Sequence, residues 1–263
     1  MRERAPAGVI WRDLAYLSAG EKLRELLLPL PWLLLALAAG HAGIYLVTVL
    51  ATWFVFMTGL RITHNAFHRS LGLSARANDW VMFTVSVLLG GAMHAIEHTH
   101  LHHHRHCLAD DDIEGRISRL RFWPALLSSP MYPVHIHATA MRKGSARQRR
   151  WIIRELAGAA ALHACIWLLW DIETLRWMSL ALIFANASVP MIGIWSVHQG
   201  CADHGFIARS SRVRWLNQLS GGMLFHLEHH LYPGVPTRHL HVLAKRFDAA
   251  RTASLGAVYG GNV

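Results

Sequence analysis

Between Leu26 and Leu60 the chain carries no Asp, Glu, Lys or Arg, an uninterrupted run of 35 residues. One helix crosses the hydrocarbon core of a bilayer with about 20 apolar residues, so this run holds two short crossings. Gly40, His41, Ala42 and Gly43 supply the turn between them, with Pro29 and Pro31 near the entrance of the first helix. A second uncharged pair, 156–170 and 177–202, is separated by Asp171, Glu173 and Arg176 and reads as another hairpin. Tilt or local thinning of the bilayer absorbs the short lengths. Two shorter apolar runs, Trp80 to Ile96 and Trp215 to Leu227, read as interfacial or partly re-entrant helices.

The expected fold is therefore an all-α integral membrane protein with about four transmembrane helices in two hairpins, over residues 26–60 and 156–202. Residues 1–25 form an amino-terminal segment, and residues 1–263 read as a single membrane unit. No small-residue cleavage pattern closely follows a short apolar core, so the start does not read as a signal peptide. A soluble helical core is disfavoured by the uncharged run and by eleven tryptophans, a residue enriched at membrane interfaces.

With 53% hydrophobic and 16% charged residues, the chain is not of disordered composition. Its formal charge of +10 would suggest nucleic acid in a soluble protein. Here the position of the charge matters more. Arg176 is the only basic residue in the expected outer loops, and the rest lie in the amino terminus, in 61–155 and in the carboxyl-terminal segment. That asymmetry is the positive-inside pattern, with the charged face toward the cytoplasm. The basic segment Arg142 to Arg154 reads as a surface lying against anionic lipid. Cys107, Cys165 and Cys201 are odd in number and widely spaced, and imply neither a disulfide framework nor a cysteine zinc site.

Twelve of the twenty histidines fall in three clusters. His64 and His68 stand four residues apart, on one face of a helix that continues past Leu60. His100, His103 and His104 make an i, i+3, i+4 triplet, although His98, His102 and His103 could also converge. His226, His229 and His230 repeat the triplet spacing. Three clusters at the ends of membrane helices on one side point to a shared metal centre, in a fold where ionisable groups at membrane depth are costly and functional. Imidazole suits iron, zinc, copper or nickel. Eight such ligands exceed one tetrahedral site, so two metals are the economical reading. His198, at the end of the fourth crossing, is placed to add a ninth nitrogen; His204, beside Asp203, is its rival.

The segments HNAFH at 64–68, HLHHHRH at 100–106 and HLEHHLYPGVP at 226–236 resemble the three histidine boxes of the membrane fatty-acid desaturase superfamily, which includes hydroxylases and carotenoid ketolases and hydroxylases. The run Asp110, Asp111 and Asp112 after the second cluster strengthens the resemblance, which extends over roughly residues 26–247. It implies a non-haem centre of two iron ions at the cytoplasmic face, with O₂ as co-substrate and an unactivated C–H bond as target. By position in the motifs, it assigns ligand roles to His64, His68, His100, His103, His104, His226, His229 and His230. Asn65 departs from the acidic residue frequent after the first histidine, which bears on the subclass. Glu97, Asp110, Asp111, Asp112, Glu114, Asp203 and Glu228 could orient imidazoles. Among these, Asp203 and Glu228, together with His98, His102 and His204, stand as outer-sphere groups or alternative ligands. Asn186 sits within the fourth apolar segment as a candidate buried hydrogen-bonding group.

A site at the ends of membrane helices receives its substrate from the bilayer, and Phe54, Phe56, Phe67, Phe83 and Trp195 could line the route. The leading expectation is desaturation of a fatty-acyl chain or other lipid; carotenoid ketolation or hydroxylation is the alternative. A membrane metal carrier is the expectation from outside oxidative chemistry, opposed by the scarcity of ionisable groups across the membrane interior. A zinc hydrolase is opposed by the lack of an HExxH motif. No dinucleotide fingerprint or cysteine-rich iron–sulfur motif occurs in the sequence, so a separate ferredoxin, rubredoxin or cytochrome is expected as electron donor. The expected location is a bacterial inner membrane with the boxes facing the cytoplasm.

Overall fold

In the computed structural model the described residues are 5–6 and 8–259, with side chains described to residue 252. All regular structure among them is helical. Helix α1 (Ala19–Leu26) opens on Ser18, whose hydroxyl accepts from the Glu21 N–H while the Glu21 carboxylate accepts from the Ser18 N–H. This reciprocal cap satisfies two otherwise unpaired donors. α1 leads into α2 (Leu30–His41), and Ala19–His41 together make one span of 23 residues. Gly43, at φ +73°, turns the chain where an L side chain would be strained, and α3 (Tyr45–Phe67) returns across the membrane.

The first hairpin thus extends beyond 26–60 at both ends. The sequence run stops at charges, but the helices do not, because those charges are paired. Glu25 is fully buried and receives the Arg61 guanidinium at 2.6 Å. Along α3, Thr48, Thr52, Thr58 and Thr63 return their hydroxyls to carbonyls one turn back, which satisfies them without water.

α4 (Ala75–Leu89) and α5 (Met93–His106) are bent by 113° at Gly90, whose φ is +80°. The run Trp80 to Ile96 is therefore split between two helices that meet at a sharp bend rather than forming one helix. The Met93 N–H finds the Ser86 hydroxyl at 2.9 Å, and the Ala92 N–H donates to His137 Nε2 at 2.9 Å. Short α6 (Phe122–Ser128) and α7 (Tyr132–Lys143) follow along the surface.

The second hairpin is α8 (Ala146–Ala164), continued by a wide π turn to Leu169, and α9 (Glu173–Val189). A π turn over Pro190–Trp195 links α9 to α10 (Ser196–His198). Proline lacks the N–H of a regular helical bond, which accounts for the widening there. These spans, Ala146–Leu169 and Glu173–His204, again overrun the expected 156–202.

α11 (Arg214–Leu219) is short, and α12 (His226–Leu231) and α13 (Thr237–Tyr259) close the fold. The expected interfacial helix over 215–227 is cut short, because Gly221 and Gly222 take φ +66° and +84°. Phe56, Met57, Ile62, Phe67, Met82, Leu89, Met93 and Ala185 form the main core, where α3, α4, α5 and α9 meet. Leu34, Leu46, Leu50, Leu168, Leu169, Ile183 and Phe184 stay exposed on the outer faces of the spans, as lipid contact requires.

Candidate metal centre

The ends of α3, α5, α10 and α12 converge, and each brings histidines at helical spacing. His64 and His68 close α3, His100, His103 and His104 lie on α5, His198 ends α10, and His226, His229 and His230 lie on α12. Ligand nitrogens of His64, His68, His100 and His229 lie within 4.8 Å of one another, as do those of His103, His198, His226 and His230. His104 joins the first group, its Nε2 being 3.2 Å from His100 Nε2 and 2.9 Å from His229 Nε2. Its ring also stacks on His230 at 4.3 Å, which connects the two groups.

The tautomers of two rings follow from their neighbours, and a third ring is held by a carboxyl group: His100 Nδ1 lies 3.0 Å from Glu114. His198 Nδ1 faces the Ile207 carbonyl at 2.9 Å, an acceptor only, so Nδ1 carries the proton. His103 Nδ1 faces the Asp112 carboxylate at 2.7 Å, with the same consequence. Their Nε2 lone pairs then point inward. His198 Nε2 lies 3.1 Å from His103 Nε2 and 2.9 Å from His226 Nε2, and His226 lies 3.1 Å from His230.

Converging lone pairs at such separations repel unless a cation lies between them. Two nitrogens bound at about 2.1 Å and at right angles sit about 3.0 Å apart, so these spacings fit ligands of a common metal ion. His64 Nδ1 and His68 Nε2 are buried without a hydrogen-bond partner, which a metal would relieve. The donor set therefore fits metal ions, and imidazole nitrogen is a ligand that iron accepts.

The electrostatics of His68 and of the third cluster agree. Burial holds His226, His229 and His230 well below the ordinary imidazole range, and neighbouring rings push in the same direction. Burial brings His68 down to about 4. These rings are neutral at neutral pH, the form that binds metal. Burial works to raise Asp112, but its bond to His103 leaves it below the usual carboxylate range. Burial pushes Glu114 up to about 7.

The carboxylates sort differently from the expectation. Asp112 and Glu114 orient imidazoles. Glu228, expected beside a ring, instead accepts from Arg212 at 2.6 Å and from the Ser210 hydroxyl. Asp203 and His204 are exposed on a surface turn, so His198 and not His204 joins the cluster. His102 lies 3.0 Å from Asp111 and stacks on His106, and His98 bonds Gln148, so neither ring enters the centre. Asp110 pairs with Arg119 and Glu97 with Arg69. His94 is buried between Glu155 and Asp79, stacked on Trp151. Cys107 Sγ lies 4.0 Å from His103 Nε2 at the edge of the centre.

Asn65 holds the first box to the segment after the third. Its Oδ1 accepts from the Thr237 N–H at 2.9 Å and hydroxyl at 2.8 Å, and its Nδ2 donates to Glu25 at 3.4 Å. An aspartate here would face the buried Glu25 carboxylate with like charge, which favours the amide found at this position.

An apolar cavity ends on this centre. It runs from His64, His100 and His226 past Phe56, Leu60, Phe67, Met93, Ile136 and Val189 to Asn186, which donates to the Leu89 and Leu182 carbonyls. Of the five aromatic residues expected along the route, Phe56 and Phe67 line it. Phe54 stacks on Trp32, Phe83 packs on Trp80, and Trp195 donates to the Leu120 carbonyl.

No curated protein matches the sequence. The model of the fatty acid desaturase family matches residues 25–260, which takes in all three histidine clusters and all of the membrane spans except the start of the first. The chain belongs to the fatty acid desaturase family and is a membrane oxidoreductase with a histidine-rich metal site.

Proposed function

We propose that the protein catalyses O₂-dependent desaturation of a fatty-acyl chain or another membrane lipid at a centre of two iron ions. The observation that carries this reading is the apolar cavity ending on His64, His100 and His226, which draw on both nitrogen groups. A bound iron pair supplies the O₂ chemistry that removes hydrogen from an unactivated C–H bond. The chain's own residues do the rest. Phe56, Leu60, Phe67 and Met93 exclude water and hold an apolar segment, while Asp112 and Glu114 fix the faces of His103 and His100.

His64, His68, His100, His104 and His229 would hold one ion, and His103, His198, His226 and His230 the other. Electrons come from a separate ferredoxin, rubredoxin or cytochrome. A second opening, where the half-buried His104 and His230 meet Cys107, Phe206 and Ile207, supports that reading. The location in this reading is a bacterial inner membrane, and the basic residues from Arg142 to Arg154 support an orientation with the boxes on the cytoplasmic side. Residues 1–263 act as one membrane domain in this account.

Oxygen insertion into a carotenoid is the second reading. It is favoured by a further cavity, sharing Pro133 and Asn186 with the first, that reaches Trp167 and Ser179 far along α8 and α9. Mass spectrometry of lipids and carotenoids from a host that makes both, with the chain or its His103→Ala variant, tests the proposal. An acyl product lighter by two hydrogens, absent with the variant, supports desaturation. A carotenoid that gains oxygen replaces it by the second reading.

A further inference from the structure

The further cavity contains a polar site that the metal chemistry does not use. It is walled by Leu89, Gly90, Pro130, Leu182 and Ile183, and it contains His163, Trp167 and Ser179. His163 lies within the third span, Ala146–Leu169, and Ser179 in the fourth. An ionisable residue at membrane depth, facing a cavity, calls for a polar partner.

The hydrogen bonds fix what that partner must be. Ser179 is buried, and its Oγ accepts from Trp167 Nε1 at 3.1 Å and lies 2.8 Å from His163 Nδ1. Indole N–H is a donor only. Among the described residues the Ser179 hydroxyl proton has one acceptor in reach, His163 Nδ1. Neutral His163 therefore carries its proton on Nε2. That nitrogen points toward Gly90, where a Cβ would stand 3.0 Å from it, so the lack of a side chain leaves Nε2 its space.

We infer that His163 Nε2–H, oriented by Ser179 and Trp167, anchors an oxygen acceptor, a hydroxyl or carbonyl, carried by the substrate at the end remote from the oxidised carbon. This deepens the proposed lipid oxidation and rests on it for the word substrate; the binding site itself does not. The two cavities adjoin at Asn186 and Pro133, and the inference lays one molecule across both, from His163 to the metal centre. From Ser179 to His198 the chain climbs 19 residues of largely helical structure, roughly 28 Å at about 1.5 Å per residue. That is close to the roughly 30 Å hydrocarbon thickness of a bilayer. The ligand is a long, extended apolar molecule with oxygen at its far end.

The test uses the metal-loaded protein in lipid nanodiscs without O₂, so that binding is read apart from turnover. The probes are a long primary alcohol and the alkane of equal chain length, and the reading is the ratio of their Kd values. The wild type binds the alcohol more tightly by about five-fold, the worth of one ordinary hydrogen bond. His163→Phe removes the preference and leaves alkane binding unchanged. Ser179→Ala keeps the imidazole but frees its tautomer, and lowers the preference, which keeps the test open should His163→Phe fail to fold. An unchanged ratio in the Ser179→Ala and any folded His163→Phe protein overturns the inference. So does the lack of any alcohol preference in the wild type, the result expected if bulk lipid esters fill the site. With O₂ and a reductant restored, an intact preference without oxidised product would reject the oxidation reading alone.

Discussion

Asp112 is the sharpest point at which to disturb the centre without touching a ligand. Its carboxylate accepts from His103 Nδ1 at 2.7 Å, from the Leu108 N–H at 2.9 Å and from the Gly115 N–H at 3.0 Å. Asp112→Ala removes all three bonds. His103 is then free to shift its proton to Nε2, the nitrogen facing His198. Loss of such an orienting partner costs about 10–100-fold in metal affinity, which is about 1.4–2.7 kcal/mol. The metal-free protein loses stability as well, since the buried Gly115 N–H is left without its acceptor, at a cost of about 1–3 kcal/mol. The two effects separate in the assay. Competition titration with a chromogenic chelator reads metal affinity, and thermal unfolding of the metal-free protein in detergent reads stability. Asp111→Ala is the control, because Asp111 is exposed and approaches only the outlying His102. It changes neither quantity. Wild-type metal affinity in a folded Asp112→Ala protein would refute the reasoning.

Three further outcomes follow from the same geometry. Arg61→Met strands the buried Glu25, leaving the 3.5 Å contact to Arg238 and the 3.4 Å bond from the neutral Asn65 amide, and lowers stability by about 3 kcal/mol; adding Glu25→Gln recovers part of it, read by chemical unfolding. Asn65→Asp keeps the Thr237 bonds but sets a carboxylate against Glu25, so it lowers the thermal midpoint while Asn65→Gln, which only lengthens the amide, does so without adding charge; equal midpoints for Asn65→Asp and wild type would count against the buried pair. Gly193 lines the cavity, where a Cβ would meet only Val189 at 3.9 Å, and Gly193→Phe fills it, so product formation falls at least about ten-fold. Metal content stays unchanged in that variant; a matching loss of metal would mean that the residue supports the centre instead.

The histidines of the centre were legible because helical spacing is local. Positions i, i+3 and i+4 share a face wherever the helix lies, and the apolar runs located the helix ends. What the sequence did not carry was the pairing of residues distant along the chain. Asp110, Asp111 and Asp112 look alike in sequence, and only the turn after α5 decides which one reaches a ring. Glu25 and Arg61 are 36 positions apart, and each alone looks like the charged border of a membrane span. Hence the spans of the first hairpin run past the uncharged segment at both ends. The helix expected over 215–227 failed for a local reason, since its tandem glycines favour the left-handed turns they adopt. The aromatic route was half legible. Phe56 and Phe67 face inward, whereas Phe54 lies on another face of the same helix and packs on Trp32.

The central claim is that nine imidazoles hold two metal ions, and metal stoichiometry tests it most directly. Iron is measured per chain by elemental mass spectrometry on protein purified anaerobically, in parallel for wild type, His229→Ala, His103→Ala and His204→Ala. The account predicts two irons per chain in the wild type and in His204→Ala, with iron lost from both His229→Ala and His103→Ala. One iron per chain in the wild type, or two in both box variants, would contradict it.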